Sequence, residues 1–276
     1  MKNGILYIVP TPIGNLEDIT LRAIRILKSV SVIGAEDTRN SGKLLKKYEI
    51  KTPMFSYHKF NERTRVEKIA NHLKSGEDVA IISDSGTPGI SDPSNIIVRA
   101  AIDNDMKVET LPGATAFVPA IVSSGLKSES FYFIGFLPDK KSEKDKLLKK
   151  LITVDDCLIF YEAPHRLESF IKELFKYFGE RKIVIAREIS KIYETFYRGS
   201  LKSILENPEK IVLKGEFVII IDGAKPDIYK NAELKKMLHD LIEKGNSNKD
   251  AIKKVVEITG ESKNRIYNLA LRLEND

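Results

Sequence analysis

Short apolar runs alternate with amphipathic stretches through the first half of the chain. The apolar runs predict buried strands, at residues 4–9, 30–35, 53–57, 79–82 and 106–110. The amphipathic stretches predict helices, from about residue 20 and over residues 43–48, 62–73 and 94–102. Strands and helices that alternate with short connections predict a parallel sheet covered by helices.

The run at 79–82 ends in a loop, Ser83 to Asp92, made of small and polar residues with two glycines, three serines and two aspartates. Open α/β sheets bind ligands at the carboxyl ends of their strands, and small residues let a ligand reach backbone amides. An ordinary turn, with Asp92 as the helix cap and Pro93 as the first helical residue, explains the same composition. Similar turns at 10–15 and 111–115 favour a ligand site.

The second half of the chain predicts a mixed sheet followed by helices. Strands are expected at residues 131–136, 157–161, 182–186, 193–198 and 215–221, with a charged hairpin or helix start at 139–150. Residues 167–178 carry apolar side chains at helical spacing. After a linker at 224–227, three apolar stripes predict three helices. We therefore expect an α/β domain at 1–124, a mixed α/β domain at 125–224 and a helical segment at 225–276.

Composition narrows the class of protein. A chain that is 42% hydrophobic and 30% charged is typical of a globular protein, and no apolar run reaches the length of a membrane span. No signal-peptide pattern opens the sequence, and a single cysteine, Cys157, forms no intrachain disulfide, so we expect a cytoplasmic protein. The four histidines lack zinc-ligand spacing, so no metal site is expected.

The net charge of +6 is concentrated in one segment. Residues 39–75 contain ten Lys and Arg residues against three Glu residues, which favours a surface that contacts phosphates over an ordinary solvated helix face. The candidates for phosphate contacts with RNA are the basic residues Arg39, Lys43, Lys59, Arg63 and Arg65. Tyr57 and Phe60 in the same segment either stack on bases or pack in the core.

Five sequence blocks occur in an order that is familiar from one protein family. They are Leu6-Tyr7-Ile8-Val9-Pro10-Thr11-Pro12-Ile13-Gly14-Asn15-Leu16, Ala35-Glu36-Asp37-Thr38-Arg39, Ser83-Asp84-Ser85-Gly86-Thr87-Pro88, Leu111-Pro112-Gly113, and Phe160-Tyr161-Glu162 with Pro164-His165-Arg166. On these residues the chain resembles the bacterial ribosomal RNA small subunit methyltransferase I family, which belongs to the tetrapyrrole methylases. It departs from the family pattern at Ser85, where alanine is usual, and at Asn95.

The resemblance implies two α/β domains with S-adenosylmethionine in the cleft between them, and a homodimer. It implies 2′-O-methylation of a cytidine ribose in 16S rRNA of the small ribosomal subunit, near the decoding centre. The implied cofactor site is lined by Pro12, Gly14, Asp84, Ser85, Gly86, Thr87, Pro88, Thr115, Ala163 and Pro164. Ala163 and Pro164 are either adenosine contacts or an ordinary turn. No Gly-x-Gly-x-x-Gly follows the first strand, so the three small-residue turns take its place.

Methyl transfer from a sulfonium depends first on geometry. Orientation lowers the barrier by on the order of 7–11 kcal/mol. A general base accelerates a reaction about 10²–10⁴-fold, which corresponds to roughly 3–5.5 kcal/mol. The candidates for the chemical step are Glu36, Asp37, Arg39, His58 and Glu188. Glu36 and Asp37 either accept the ribose proton or orient the ribose, or they form an ion pair with Arg39 or a helix cap. His58 is either catalytic or a capping residue.

Two other functions fit parts of the sequence. One is methylation of a small tetrapyrrole-like anion by the same fold. A small substrate needs neither the basic segment nor the C-terminal helices, so their presence argues against this function. The other is RNA binding without catalysis, which requires a degraded cofactor site that the sequence does not show.

Overall fold

The structure is a computed structural model that describes residues 3–92, 94–224, 229–259, 261 and 263–273. The strands are β1 Ile5–Ile8, β2 Val32–Ala35, β3 Met54–Ser56, β4 Val79–Ile82, β5 Lys107–Thr110, β6 Phe131–Gly135, β7 Cys157–Glu162, β8 Lys182–Arg187, β9 Thr195–Ser200 and β10 Phe217–Ile221. The helices are α1 Leu21–Ser29, α2 Thr38–Lys47, α3 Glu62–Lys74, α4 Asn95–Asp103, α5 Phe117–Val122, α6 Lys141–Leu151, α7 Leu167–Phe178, α8 Leu201–Glu206, α9 Asn231–Glu243, α10 Asn248–Thr259 and α11 Lys263–Leu273.

The first sheet is parallel throughout and has the order β3-β2-β4-β1-β5. From β1 the chain crosses to β2 on one side, and from β4 it crosses to β5 on the other. The loops that follow β1 and β4 therefore diverge at neighbouring strands. Such a switch point leaves a crevice at the carboxyl ends of the strands, where α/β sheets bind ligands.

Both faces of this sheet are buried, which explains its uninterrupted apolar strands. Alternate residues such as Val9, Ile33 and Ile82 pack with α1 and α2 on one face. Their neighbours, such as Ile8 and Ile81, pack with α3 and α4 on the other face. This two-sided core holds the strand ends, and the loops that follow them, in fixed positions.

The second sheet is mixed, in the order β6-β7-β10-β8-β9, with only β6 and β7 parallel among its described pairs. Helix α5 covers one face, where Ala120 and Ile121 join a core cluster with Val184 and Val218. Helix α7 covers the other face, and the rings of Phe160 and Phe170 meet edge to face at 5.6 Å. The expected mixture of parallel and antiparallel strands is confirmed.

Both sheets lie in one compact unit, residues 1–152 with 156–222. A second unit contains residues 153–155 and 223–276, in which α9, α10 and α11 pack around a core that includes Leu238, Val255 and Ile266. The exposed residues His239, Asp240 and Glu243 come together on α9, and His239 lies 3.7 Å from Glu243. No helix in the described ranges has the length and apolar character that crossing a membrane requires. The domain boundary after residue 124 stays a prediction.

Several local predictions differ from the structure. Helix α2 begins at Thr38 rather than at residue 43, because the Asp37 carboxylate accepts the Arg39 N–H and caps it. The cap of α4 is Ser94, so the prediction of Asp92 as cap is wrong, and Pro93 lies outside the described residues, as do linker residues 225–227. The short helices α5 and α8 were not predicted, since each has six residues and shows little periodicity.

Candidate active site

The loops after β1, β4 and β5 are joined by hydrogen bonds into one rim. Thr11 and Gly86 exchange backbone hydrogen bonds of 2.9 and 3.0 Å, and the hydroxyl of Thr11 donates to the Ser83 carbonyl at 3.0 Å. The Thr87 hydroxyl donates to the Ala114 carbonyl at 2.9 Å, which ties the β4 loop to the β5 loop. The rim therefore presents fixed backbone groups at the carboxyl edge of the first sheet.

Gly86 is required at its position in this rim. Its φ of +84° lies in the left-handed region, and an added Cβ would lie 3.2 Å from Ile13 Cγ2 and 3.4 Å from the Ala114 carbonyl oxygen. A side chain here would strain the backbone and press on both neighbouring loops. The glycine thus allows the three loops to converge.

A cavity of about 390 Å³, here called the inter-sheet cavity, lies between the rim and the second sheet. Its size is within the range of small-molecule sites. Of the predicted cofactor residues it is lined by Ser85, Gly86, Thr87, Thr115, Ala163 and Pro164. Its opposite wall is formed by the second sheet, with Tyr161, Phe217 and Val218. Residues that are far apart in sequence are thus brought to one apolar cavity with a polar rim.

A neighbouring cavity of about 320 Å³, here called the β1-loop cavity, shares Ile13, Ser85 and Glu216 with the first. It is lined by three further predicted cofactor residues, Pro12, Gly14 and Asp84, and by the predicted phosphate contact Lys43. Pro88 is buried and lines neither of these two cavities. The predicted cofactor residues therefore divide between two adjoining spaces.

The acidic cluster after β2 is bonded to the β4 loop, since β2 and β4 are neighbours in the sheet. The Asp84 carboxylate accepts the Asp37 N–H at 3.0 Å, and the Asp84 N–H donates to Glu36 at 3.4 Å. The Asp37 carboxylate also accepts hydrogen bonds from the Arg39 guanidinium, at 2.8 Å, and from the Arg39 N–H. These two bonds from Arg39 lower the pKa of Asp37 to about 2. Asp37 and Arg39 thus form an ion pair at a helix cap, while Glu36 stays half-buried beside Asp84.

Burial and like charges raise the pKa of two carboxyl groups near the rim. Burial, with a smaller contribution from the charge of Asp84, raises the pKa of Glu36, although the Asp84 N–H and His58 oppose that shift. Burial, followed by the charges of Glu36 and Asp84, raises the pKa of Asp92 to about 6. Such shifts are typical of functional sites.

Glu188 lies beside Gly215 in an ion-pair network, and it lines neither of the two cavities. Lys191 Nζ lies 2.8 Å from Glu188 and 2.8 Å from Glu216. Burial raises the pKa of Glu188, but the hydrogen bonds from Lys191 and from the Glu216 N–H outweigh it, so this pKa lies below its ordinary value. Lys191 also lies against the β1 loop, where a Cβ on Gly14 would be 2.3 Å from Lys191 Cγ.

The basic segment separates into exposed and packed residues. Arg39, Lys43, Lys59 and Arg63 are exposed, and so is Phe60, at 94%. Arg65 is half-buried over the Phe55 ring, 5.9 Å from its centroid. Tyr57 is buried in the core, so the alternative of base stacking is wrong for this residue. The His58 ring accepts the Phe60 N–H at 3.2 Å and belongs to a local turn.

Sequence analysis missed five polar residues that line the inter-sheet cavity, namely Ser91, Asp92, Tyr161, Glu162 and Glu216. Ser91 and Asp92 belong to the small-residue loop after β4, Tyr161 and Glu162 to the last of the five sequence blocks, and Glu216 to the last predicted strand. The sequence pattern predicts a helix cap at Asp92, the end of a strand at Tyr161 and the start of the last strand near Glu216. Tyr161, Glu162 and Glu216 carry an available signal, since each lies at or next to a strand end, whereas Ser91 and Asp92 lie late in the loop after β4 and carry no such signal.

Comparison with known proteins places the chain in a family. The sequence profile described as Tetrapyrrole (Corrin/Porphyrin) Methylases matches residues 5–205. The ribosomal RNA small subunit methyltransferase I of Synechocystis sp. is 41% identical over 277 residues and covers 99% of each chain. The Bacillus subtilis protein of the same name is 42% identical and covers 96% of this chain and 93% of its own. This chain belongs to the ribosomal RNA small subunit methyltransferase I family of tetrapyrrole methylases.

Solved structures of two methyltransferases share the fold. The methyltransferase CobJ superposes with a TM-score of 0.61 at 19% identity, over 80% of this chain and 95% of its own. The uroporphyrin-III C-methyltransferase of Thermus thermophilus, in complex with S-adenosyl homocysteine, gives a TM-score of 0.57 at 19% identity, over 79% of this chain and 97% of its own. The predicted fold, with two sheets and C-terminal helices, is confirmed.

Proposed function

We propose that this protein transfers a methyl group from S-adenosylmethionine to the ribose O2′ of a cytidine in 16S rRNA of the small ribosomal subunit, near the decoding centre. The inter-sheet cavity is the single observation that carries the proposal, since small-residue loops from both sheets converge there. The names of the relatives from Synechocystis and Bacillus subtilis support the substrate class. Action on ribosomal RNA agrees with a cytoplasmic location.

The residues of the inter-sheet cavity fit such a cofactor. The absence of a side chain on Gly86 lets the rim loops converge beside the cavity, and Thr87 and Thr115 add polar groups. Apolar residues of the second sheet, Phe217 and Val218, suit an adenine ring, beside the proposed adenosine contacts Ala163 and Pro164. When bound, S-adenosylmethionine supplies a methyl group that its sulfonium has already activated.

The remaining task of the protein is to orient the ribose and to exclude water. We propose that Glu36, which is half-buried beside Asp84, orients the ribose through its carboxylate. Asp37 and Arg39 fix the start of α2 through their ion pair, and His58 supports the adjacent turn. Glu188 acts through Lys191, which holds the β1 loop against the second sheet.

The RNA would bind over the basic segment. Arg39, Lys43, Lys59 and Arg63 are exposed for phosphate contacts, and the ring of Phe60 is exposed for stacking on a base. A small tetrapyrrole-like substrate would leave these groups unused. This surface therefore favours RNA over the small substrate.

We also propose a homodimer. Val118 and Val122 on α5 are 45% and 70% exposed, and Phe131 on β6 is 37% exposed. The rings of Phe117 and Phe131, 6.0 Å apart, connect these two elements. Exposed apolar patches of this kind mark interaction sites. Sedimentation equilibrium should give twice the mass of one chain, whereas a monomer at micromolar concentration would contradict this part of the proposal.

The test of the activity is methyl transfer in vitro. Small ribosomal subunits from cells that lack the gene are incubated with the protein and methyl-labelled S-adenosylmethionine, and the RNA is digested and mapped. The proposal predicts label on the ribose of one cytidine. Label on a base, or transfer to a porphyrin and none to the subunits, would contradict it.

A further inference from the structure

Three carboxyl groups among the described residues line the inter-sheet cavity: those of Asp92, Glu162 and Glu216. Two of them are neutralised. The Glu162 carboxylate accepts hydrogen bonds from the Arg166 guanidinium at 2.7 Å and from the Ala163 N–H at 2.8 Å. The Glu216 carboxylate forms an ion pair with Lys191 at 2.8 Å. Asp92 has no such pair, since the charged groups that act on it within the described part of the chain are the carboxylates Glu36 and Asp84. It is the carboxylate in this cavity that remains available.

The fold places Asp92 between the two walls of the cavity. Gly89, with a φ of +91°, turns the β4 loop, and the chain returns through Ser91 and Asp92 to the start of α4. This return passes close to the second sheet, where a Cβ on Gly135 would lie 3.5 Å from Ser91 Oγ. The cap of α4 is Ser94, so the carboxylate of Asp92 is not used as a helix cap.

The groups that face Asp92 come from each neighbouring element. Glu36 follows β2, Asp84 and the Ser83 hydroxyl follow β4, and Tyr161 lies on β7. Burial, Glu36 and Asp84 raise the pKa of Asp92 to about 6, while the Ser83 hydroxyl opposes the shift. Across the cavity, burial and the charges of Asp92 and Glu216 raise the pKa of Tyr161 to about 12, so Tyr161 stays protonated. A carboxylate with this pKa remains largely ionised at pH 7 and is a stronger base than an ordinary aspartate.

We propose that the Asp92 carboxylate is the proton acceptor for the target 2′-hydroxyl, a role that rests on the function proposed above. In the step, the bond from O2′ to the methyl carbon forms while the carbon–sulfur bond breaks and its electron pair stays on sulfur. The O2′ proton passes to a carboxylate oxygen of Asp92. Charge balances, because a sulfonium and a carboxylate give a neutral sulfide and a neutral carboxylic acid.

The test is a pH series of single-turnover methyl transfer to small subunits that lack the modification. For the unaltered protein, the rate should rise tenfold per pH unit below about pH 6 and level off above it. In Asp92→Asn the rate should fall on the order of 10²–10⁴-fold. The rising part of the rate profile below about pH 6, here called the limb, should disappear in this variant. Asp92→Glu should restore part of the rate.

Two further measurements separate catalysis from structure. Calorimetric titration with S-adenosyl homocysteine should show similar affinity in Asp92→Asn. The melting temperature of that variant at pH 7.5 should rise on the order of a few degrees, because the variant no longer buries an unpaired charge. In Glu36→Gln the limb of the rate profile should move to lower pH, since one of the charges that raise the pKa of Asp92 is gone.

The outcomes distinguish the inference from the function beneath it. Methyl transfer by the unaltered protein, with a full rate and an unchanged limb in Asp92→Asn, would overturn the assignment of Asp92 and leave the function intact. An unmoved limb in Glu36→Gln would also overturn it, even if Asp92→Asn fails to fold. No transfer to any RNA, despite binding of S-adenosyl homocysteine, would overturn both.

Discussion

Gly86 shows how one residue decides whether the rim can form. Both its left-handed backbone and the tight space for a Cβ between Ile13 and Ala114 favour glycine. Gly125 shares the left-handed backbone, with a φ of +77°, but a Cβ there would meet nothing within 4 Å. The two glycines therefore separate the cost of backbone strain from the cost of crowding.

We predict that Gly86→Ala lowers the free energy of unfolding by about 1–3 kcal/mol and weakens binding of S-adenosyl homocysteine. Gly125→Ala should cost about 1 kcal/mol, from the backbone alone, and leave binding unchanged. Urea unfolding and calorimetric titration measure the two effects. Equal binding by both variants would show that the rim is not part of the cofactor site.

Lys191 holds the β1 loop to the second sheet through Glu188 and Glu216. Its side chain is 27% exposed and that of Glu188 is 15% exposed, so removal of the ammonium leaves a largely buried carboxylate unpaired. We predict that Lys191→Met lowers the free energy of unfolding by about 1–3 kcal/mol, between the values for exposed and for buried pairs. Lys172→Met, which breaks an exposed pair with Glu168, should cost less than about 1 kcal/mol.

The effect of Lys191 depends on pH in a defined direction. The folded pKa of Glu188 lies below its ordinary value of 4.5, so its stabilisation is present above that value and is lost as the pH falls through the folded pKa. The difference in the free energy of unfolding between Lys191→Met and the unaltered protein should therefore become smaller below about pH 4.5. A difference that stays constant down to pH 3 would show that packing, rather than charge, accounts for it.

At the scale of elements, α3 carries two arginines that sequence alone treats alike. Arg63 is exposed, whereas Arg65 packs over Phe55 and its buried Nε has no hydrogen-bond partner among the described residues. We predict that Arg63→Ala weakens RNA binding and makes the slope of log affinity against log salt shallower by roughly 0.7–0.9.

Arg65→Ala is the matched comparison on the same helix. It should lower the free energy of unfolding by on the order of 1 kcal/mol, through lost packing on Phe55, with a smaller change in the salt slope. Filter binding at several salt concentrations and urea unfolding separate the two arginines. Equal slopes for Arg63→Ala and the unaltered protein would remove α3 from the proposed RNA surface.

The strands and long helices could be predicted because their apolar residues follow the required spacing. Helix α7 lies at the predicted residues 167–178, and β4 at the predicted 79–82. The start of α2 could not be predicted in the same way. Its first turn, Thr38-Arg39-Asn40, has no apolar periodicity and is set by the Asp37 cap.

At the scale of the whole molecule, sequence analysis predicted the rim better than the opposite wall. Ser85, Gly86, Thr87 and Thr115 follow apolar runs and are small, which is a local signal. Tyr161, Glu216 and Phe217 come together only because β7 and β10 are antiparallel neighbours, with Phe217 paired to Glu162. Recognising Asp92 as a site residue requires the same long-range information, since its importance depends on which carboxylates in the cavity are already paired.

The central claim is that the inter-sheet cavity holds the methyl donor, and a crystal structure with S-adenosyl homocysteine tests it most directly. The account predicts density for the ligand against Gly86, Thr87 and Thr115 on one side and Ala163 on the other. Ligand density confined to another surface, with this cavity filled only by ordered water, would contradict the account.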